Sequence, residues 1–164
     1  MIRIAHIAGP LSLQVSLARY EGYQSAMERA GLVVDDALVV EGDFLEAGGY
    51  EGIKLLRRRR KPFTAVFCGN DLTAIGALHA LDEVGLAVPD DVSVVGFDDI
   101  HLASYVRPAL TTVHQPIRAL GQRAAEILLD PMLSTGPASV TELLEVAVVR
   151  RQTTTPRPTK GDFA

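Results

Sequence analysis

The sequence predicts an α/β fold in which a parallel, doubly wound sheet carries helices on both of its faces. Short runs rich in Val and Ile alternate with longer segments of helical periodicity, as they do in repeated strand–helix units. The runs are continuously apolar rather than alternating, which is typical of strands that are buried on both faces. Four such strands are predicted, over residues 2–8, 37–41, 64–68 and 92–97.

Three helices are predicted between these strands, over residues 14–30, 46–60 and 70–84. Gly31 and Gly85 follow the first and third of them, where a helix commonly ends in a left-handed residue. The order strand–helix–strand then requires right-handed crossovers and a parallel sheet. The third helix is expected to bury Leu72, Ile75, Leu78 and Leu81.

A different pattern follows residue 99. A short run at 110–114, bracketed by Pro108 and Pro116, predicts a further strand or an extended crossing. A helix over 117–129 and a last strand over 143–149 come next, and the composition from residue 153 predicts a disordered tail. The helix carries one apolar stripe, formed by Ile117, Leu120, Gly121, Ala124, Ile127 and Leu128.

The composition excludes several classes of function. No segment approaches about 18 uninterrupted apolar residues, so a membrane span is not predicted. Cys68 is the only cysteine, which excludes an internal disulfide framework and suits a reducing compartment. The net charge of −4 offers no footprint for nucleic acid. We interpret the basic run at 57–61 as a helix C-terminus before Pro62, where positive charge complements the helix dipole, rather than as a phosphate or DNA patch.

The sequence contains no pattern that calls for a metal, a cofactor or a catalytic nucleophile. The four histidines show no ligand spacing, and neither a nucleophile elbow nor a phosphate-binding glycine loop occurs. Asp98 and Asp99 are neighbours, so their side chains diverge on an extended segment and are poorly placed to share an ion. We therefore expect neither a metal site nor an enzyme.

Polar and aromatic side chains follow the predicted strands at their carboxyl ends, the edge where open parallel sheets bind ligands. Carboxylates, an amide and a guanidinium there suit a small, hydroxyl-rich, neutral ligand, and an aromatic ring offers a flat apolar face. Simpler explanations stay open at this point: Asn70 caps its helix, Phe44 belongs to the core, and either aspartate closes a turn. The residues are Arg19, Asp43, Phe44, Asn70, Asp71, Asp98 and Asp99.

Several ordered stretches resemble the lactose-repressor (LacI/GalR) family of bacterial transcription regulators. They are IAHIAGPLSLQVSLARYEGY at 4–23, EGDF at 41–44, FTAVFCGNDLTAIGALHALDEVGLAVPDDVSVVGFDDI at 63–100, RPALTTVHQP at 107–116 and VVRRQT at 148–153. The resemblance covers the chain up to its tail. It implies an effector domain of two α/β subdomains, similar to periplasmic sugar-binding proteins, with a ligand in the cleft between them.

The resemblance also implies roles for individual residues. Asp98 is expected to accept hydrogen bonds from ligand hydroxyls, whereas Asp99 serves the turn or the short helix after it. Phe44 is expected to stack on a sugar or on a purine. The family's effector contacts fall on Arg19, Phe44, Asn70 and Asp98, with Gln115 as a further pocket residue.

Carried over to the chain, the resemblance divides it into segments. Residues 1–113 are expected to form part of the C-terminal effector-binding subdomain, and 114–138 a crossover with a helix of the N-terminal subdomain. Residues 139–152 are then the return strand, and 153–164 the disordered tail. The apolar stripe of this helix would lack its usual cover in this chain, so we expect self-association or a swapped packing.

The partners expected from the resemblance are a small-molecule effector, a sugar or a sugar derivative, and a second copy in a homodimer. Operator DNA would be bound only through a DNA-binding domain that this chain does not contain, and the location is expected to be cytoplasmic, without membrane contact. A periplasmic sugar-binding protein of the same fold is the alternative. An α/β enzyme that uses Asp98 or Asp99 as a base is a third and remote hypothesis.

Overall fold

The central sheet is parallel, as the sequence predicts. The computed structural model describes residues 2–129 and 141–156. Four strands pair in the order β2-β1-β3-β4, and every pairing among them is parallel. The predicted α/β class with a doubly wound sheet is thereby confirmed. The strands are β1 (Ile4–Ala8), β2 (Val39–Glu41), β3 (Ala65–Cys68) and β4 (Ser93–Val95).

Helices cover the sheet from both sides. The chain runs from β1 to β2 in one direction and back past β1 to β3 in the other, so right-handed crossovers place the first helix opposite the next two. The predicted boundaries of the helices and of the four central strands differ from the observed ones by no more than two residues, whereas the last predicted strand, over 143–149, begins only at Ala147. The helices are α1 (Gln14–Arg29), α2 (Glu46–Arg58), α3 (Asp71–Glu83) and α4 (Ile117–Leu129).

The two faces of β1 pack against different helices, because successive side chains of a strand point to opposite sides. Ile7 is fully buried beneath α2, where Gly52 leaves room for its side chain. His6 points to the α1 side and stacks on the rings of Tyr23 and Phe67. The main core therefore lies between the sheet and the pair α2 and α3.

The helices α2 and α3 pack closely because small residues face each other. A Cβ on Gly76 would lie 1.8 Å from the carbonyl oxygen of Glu46, and one on Gly49 would lie 1.9 Å from that of Thr73. This packing corrects the expected buried face of α3. Leu81 is buried as predicted, but the other three residues of the predicted face, Leu72, Ile75 and Leu78, are only partly buried. The buried residues of α3 are Asp71, Thr73, Ala74, Gly76, Ala77, Ala80 and Leu81.

The α1 face of the sheet is covered over β1 and partly open over β3 and β4. A cavity of about 890 Å³ lies there, with an almost wholly apolar lining. The expectation of strands buried on both faces therefore holds for β1, apart from its partly exposed first residue, but not for Ala65, Phe67 and Val95, which are only partly buried.

A second, two-stranded sheet lies beside β4. It pairs β5 (Thr112–His114) with β6 (Ala147–Val149) in antiparallel fashion. Single parallel bridges join it to the central sheet at Val95–Thr111 and at Asp98–His114. The pair thus extends the edge at which the parallel strands end.

Thr153 differs from the expectation of a disordered tail, because it is fully buried. Its hydroxyl donates to the carbonyl of Val94 at 2.7 Å and accepts from the backbone N–H of Thr111 at 2.8 Å. Residues 157–164, and the predicted segment boundary at 138–139, lie outside the described residues.

The basic run at 57–61 ends a helix, as the sequence analysis proposed. The helix α2 stops at Arg58, and Arg59 donates to the carbonyl oxygens of Ala37 and Val39. The ammonium group of Lys61 pairs with Asp35 at 3.2 Å. Across residues 2–129 and 141–156, the helices are too short or too polar to cross a membrane.

Candidate functional site

Arg19 lies at the centre of the polar edge. It sits in the second turn of α1, and its side chain reaches across the ends of β3 and β4. One guanidinium nitrogen donates to the carbonyl of Gly69 at 2.5 Å, and the other pairs with Asp98 at 3.1 Å. Its Cζ atom lies over the Phe97 ring, 4.1 Å from the ring centre. Burial lowers the pKa of Arg19, and the charge of Asp98 opposes that shift.

Phe44 forms one wall of the same edge. Its backbone is left-handed, with φ of 66°, which turns the ring back over the glycines that follow β1 and β3. A Cβ on Gly9 would lie 2.1 Å from the ring, so only a glycine at this position leaves space for the Phe44 ring. The Arg19 guanidinium is 5.5 Å from the ring centre. The ring is only partly buried, so part of it remains available to a ligand.

Asn70 has two partners within the chain. Its side-chain oxygen accepts from the N–H of Thr73 and caps α3, as the simpler explanation required. Its side-chain amide donates to the carbonyl of Phe44 at 2.8 Å. Asn70 therefore holds the Phe44 turn in place, whether or not it also contacts a ligand.

One carboxylate oxygen of Asp98 accepts hydrogen bonds within the chain, and the other is available to a ligand. Oδ1 accepts from Arg19 at 3.1 Å and from the amide of Gln115 at 2.6 Å. No residue within the described ranges donates to its Oδ2. A carboxylate fixed in this way keeps the second oxygen as an acceptor for a ligand hydroxyl.

The five expected effector contacts thus form one connected group: Arg19, Phe44, Asn70, Asp98 and Gln115. Contacts among them join Arg19 to Asp98 and Phe44, Asn70 to Phe44, and Gln115 to Asp98. Their role in binding a ligand remains a prediction.

Asp99 faces away from this group. It accepts from Arg151 at 2.6 Å and contacts the imidazole of His114 at 3.0 Å. Asp99 has a φ of 59° and Asp98 one of 111°, so both backbones are left-handed or nearly so. The prediction that Asp99 serves the turn is thereby extended, because it also holds β5 and the segment after β6.

Sequence reasoning placed Asp71 at the polar edge beside Asn70 but gave it no role of its own. Its side chain is fully buried and accepts from the Thr112 hydroxyl at 2.5 Å and from the Ile100 N–H at 2.8 Å. Burial raises the pKa of Asp71, while these two hydrogen bonds lower it. The available signal was the repetition of a polar pair after β3 and after β4.

The described residues provide little for catalysis. Among them, no group of three or more His, Cys, Asp or Glu side chains is placed to hold a metal ion. The thiol of Cys68 is buried, and burial raises its pKa, which disfavours the thiolate. Arg19 and Gln115 contact Oδ1 of Asp98, and Arg151 and His114 contact the carboxylate of Asp99.

Comparisons with known proteins place this geometry in a family. A profile described as "Periplasmic binding protein-like domain" matches residues 1–154. The "HTH-type transcriptional repressor PurR" of Serratia proteamaculans (strain 568) is 46% identical over 132 residues, which are 80% of this chain and 38% of that repressor. The chain thus spans less than half the length of this curated relative.

Two solved structures have the same fold. The transcriptional regulator CelR in complex with cellobiose matches with a TM-score of 0.87 and 36% identity, over 92% of this chain and 46% of that one. The lac repressor dimer bound to operator and the anti-inducer ONPF matches with a TM-score of 0.87 and 34% identity, over 94% and 53%.

The named relatives are transcription regulators, which favours that class over the periplasmic alternative. The matched portions leave about half of each relative uncovered, as the sequence resemblance implied. The chain therefore belongs to the periplasmic-binding-protein-like domain family and corresponds to part of the effector-binding domain of LacI/GalR-family regulators.

Proposed function

We propose that the chain is the effector-sensing part of a transcriptional repressor, and that its effector is a sugar or a sugar derivative. The observation that carries the proposal is Asp98, whose Oδ1 is fixed by Arg19 and Gln115 while Oδ2 stays open among the described residues. A fixed acceptor beside a partly exposed ring matches the two features of a sugar, its hydroxyls and its apolar ring face. The cellobiose complex of CelR adds support from a relative.

The role proposed is binding without catalysis. The carboxylates at the edge are engaged by cations and an amide, and the relatives named above are regulators. In the whole protein we infer a cytoplasmic homodimer that contacts operator DNA through a domain outside this chain. The operator-bound dimer of the lac repressor supports this inference.

A thermal-shift panel on the complete protein that contains this chain tests the proposal. The panel comprises cellobiose, simple hexoses, galactosides and purine bases, because the Phe44 ring also suits a purine. A ligand that binds only the folded state raises the melting temperature in step with the logarithm of its concentration over Kd. We expect a sugar to do so, and the chain by itself to show little shift, because one wall of the cleft lies outside it.

Substitutions at Asp98 provide the control for the site. In D98A the acceptor is lost, and we expect affinity for the active sugar to fall at least tenfold, because one charge-assisted hydrogen bond contributes about 1.5–3 kcal/mol. D82A, at an exposed aspartate on α3, should keep wild-type affinity. Unchanged affinity in D98A would refute the site, and a response to purines alone would refute the sugar class.

A further inference from the structure

Two polar pairs, Asn70-Asp71 and Asp98-Asp99, follow neighbouring strands and share one arrangement. In each pair the first residue belongs to the connected group at the polar edge. The second residue of each pair contacts the two-stranded sheet instead. We call residues 110–114 and 147–151, which contain β5 and β6, the connecting ribbon, because they lead into α4 and back from it.

Asp99 contacts both strands of the connecting ribbon. One carboxylate oxygen accepts from Arg151 at 2.6 Å, and the other lies 3.0 Å from the imidazole Nδ1 of His114. Arg151 in turn donates to the carbonyl of Leu110 at 2.8 Å, so its guanidinium spans the two strands. Asp99 is mostly buried, with 17% of its side chain exposed, which limits screening by water.

Asp71 makes the corresponding connection from α3. Its carboxylate accepts from Thr112 in β5 and from the N–H of Ile100 just beyond the aspartate pair. Its backbone N–H donates to the carbonyl of Phe97 at 2.9 Å. A Cβ on Gly96 would lie 2.2 Å from its Oδ1, so the glycine leaves the space that this carboxylate occupies.

We propose that Asp71 and Asp99 are positioning residues that fix the ligand-facing edge to the connecting ribbon. The backbone N–H of Asp98 donates to the carbonyl of Val113, so the loop and the ribbon already touch. The two carboxylates add side-chain contacts that hold the loop rigidly against the ribbon. A shift of Asp98 is then passed to β5, which ends only two residues before α4.

This inference deepens the proposed function and rests on it in one respect, that the polar edge faces a ligand. Amide hydrogen exchange by NMR on the 164-residue chain tests it without any ligand. In D99A we expect at least tenfold faster exchange for the amides of Gly96 and Asp98, which donate to the ribbon. Amides in the core of α2 and α3, such as Ile53 and Ala77, should change less than twofold.

The conservative variant D99N should restore most of the protection, because its amide supplies one acceptor for Arg151 and one donor for His114. R151K keeps the positive charge but loses the guanidinium that contacts both Asp99 and Leu110. It should therefore show the local increase in exchange that is expected for D99A, and it provides a second test if D99A does not fold. In D71A, which removes both acceptors, faster exchange should likewise be confined to Ile100, Thr112 and their neighbours. D82A is the matched control and should match the wild type.

Either of two results would overturn the proposal: unchanged exchange in D99A and R151K, or faster exchange spread evenly over α2, α3 and β1, which indicates general destabilisation. The outcome is independent of the ligand panel. If no sugar raises the melting temperature, the proposed effector is refuted but the positioning role of Asp71 and Asp99 is not. If exchange in D99A and R151K matches the wild type, the positioning role is refuted but the affinity test of D98A is unaffected.

Discussion

Asp98 and Asp99 show how strongly the backbone decides what a residue type does. The two carboxylates are adjacent, yet one pairs with Arg19 and Gln115 and the other with Arg151 and His114. Both lie at positive φ, where non-glycine residues cost free energy unless their surroundings hold them. The ion pairs on either side supply that restraint, so the strain and the site belong to one arrangement.

His6 is a buried base in the middle of β1. Its Nδ1 donates to the carbonyl of Phe67 at 2.9 Å, and its ring stacks on Tyr20, Tyr23 and Phe67. Its Nε2 has no hydrogen-bond partner among the described residues. Desolvation lowers the pKa of His6 to about 4 from an ordinary value of 6.5, although the hydrogen bond to Phe67 opposes the shift. The imidazole is therefore neutral in the folded chain at neutral pH.

We predict a loss of stability in mild acid that traces to His6. Between pH 6.5 and about 4 the unfolded chain binds a proton that the folded chain does not, so the free energy of unfolding falls as the pH falls. Across that window the loss amounts to about 3 kcal/mol. Urea unfolding of wild type and H6F at several pH values measures it. H6F should lose this part of the pH dependence, and parallel pH profiles for the two proteins would contradict the assignment.

At the scale of elements, the pairing of α2 with α3 depends on glycine. The expected buried stripe of leucines in α3 follows from hydrophobicity alone, whereas the observed contact follows from backbone proximity. Gly49 and Gly76 let the two helices approach until carbonyl oxygens would touch a Cβ. Single-sequence periodicity weights large side chains and so overlooks an interface made by small ones.

Two glycine substitutions should have opposite effects on stability. A methyl group in G76A would lie 1.8 Å from the Glu46 carbonyl, so the helices must separate, and we expect a loss of about 2 kcal/mol. In G22A nothing lies within 4 Å of the added carbon, and the higher helix propensity of alanine should add roughly 0.5–1 kcal/mol. Urea denaturation of both variants provides the comparison. A destabilised G22A or a neutral G76A would show that the packing differs from the one described.

At the scale of the whole molecule, α4 is the helix that has no buried residue in the part of the chain that the structure describes. Ile117, Leu120 and Leu128 are 61%, 44% and 78% exposed. Apolar side chains at this spacing form one face of a helix, and contiguous exposed apolar surface favours association. The sequence prediction that this stripe is uncovered agrees with the exposure of its residues.

We expect the 164-residue chain to self-associate through this stripe. Size-exclusion chromatography with light scattering should give a mass above 17.6 kDa for the wild type and a mass near it for L120K/L128K. A119K/Q122K adds the same charge on the other side of α4, at two exposed positions, and should associate like the wild type. A monodisperse monomer in the wild-type protein would refute this prediction.

The sequence by itself determined the order of the elements, the parallel sheet and the residues at its carboxyl edge. Continuous apolar runs, helix periodicity and capping residues are local properties, and a parallel sheet brings its strand ends together whatever the details. Arg19, Phe44, Asn70 and Asp98 could be named on that ground, whereas Gln115 was named only from the resemblance.

Only the tertiary structure decided which atoms of those residues remain available, and how the edge is fixed to the rest of the chain. Asp71 meets Thr112 and Asp99 meets Arg151 across separations of 41 and 52 residues. The first pairing depends on where β5 lies beside the central sheet, and the second on where the chain returns after α4. No local pattern specifies either position. The burial of Thr153 and the glycine contact between α2 and α3 were decided in the same way, by packing between segments far apart in sequence.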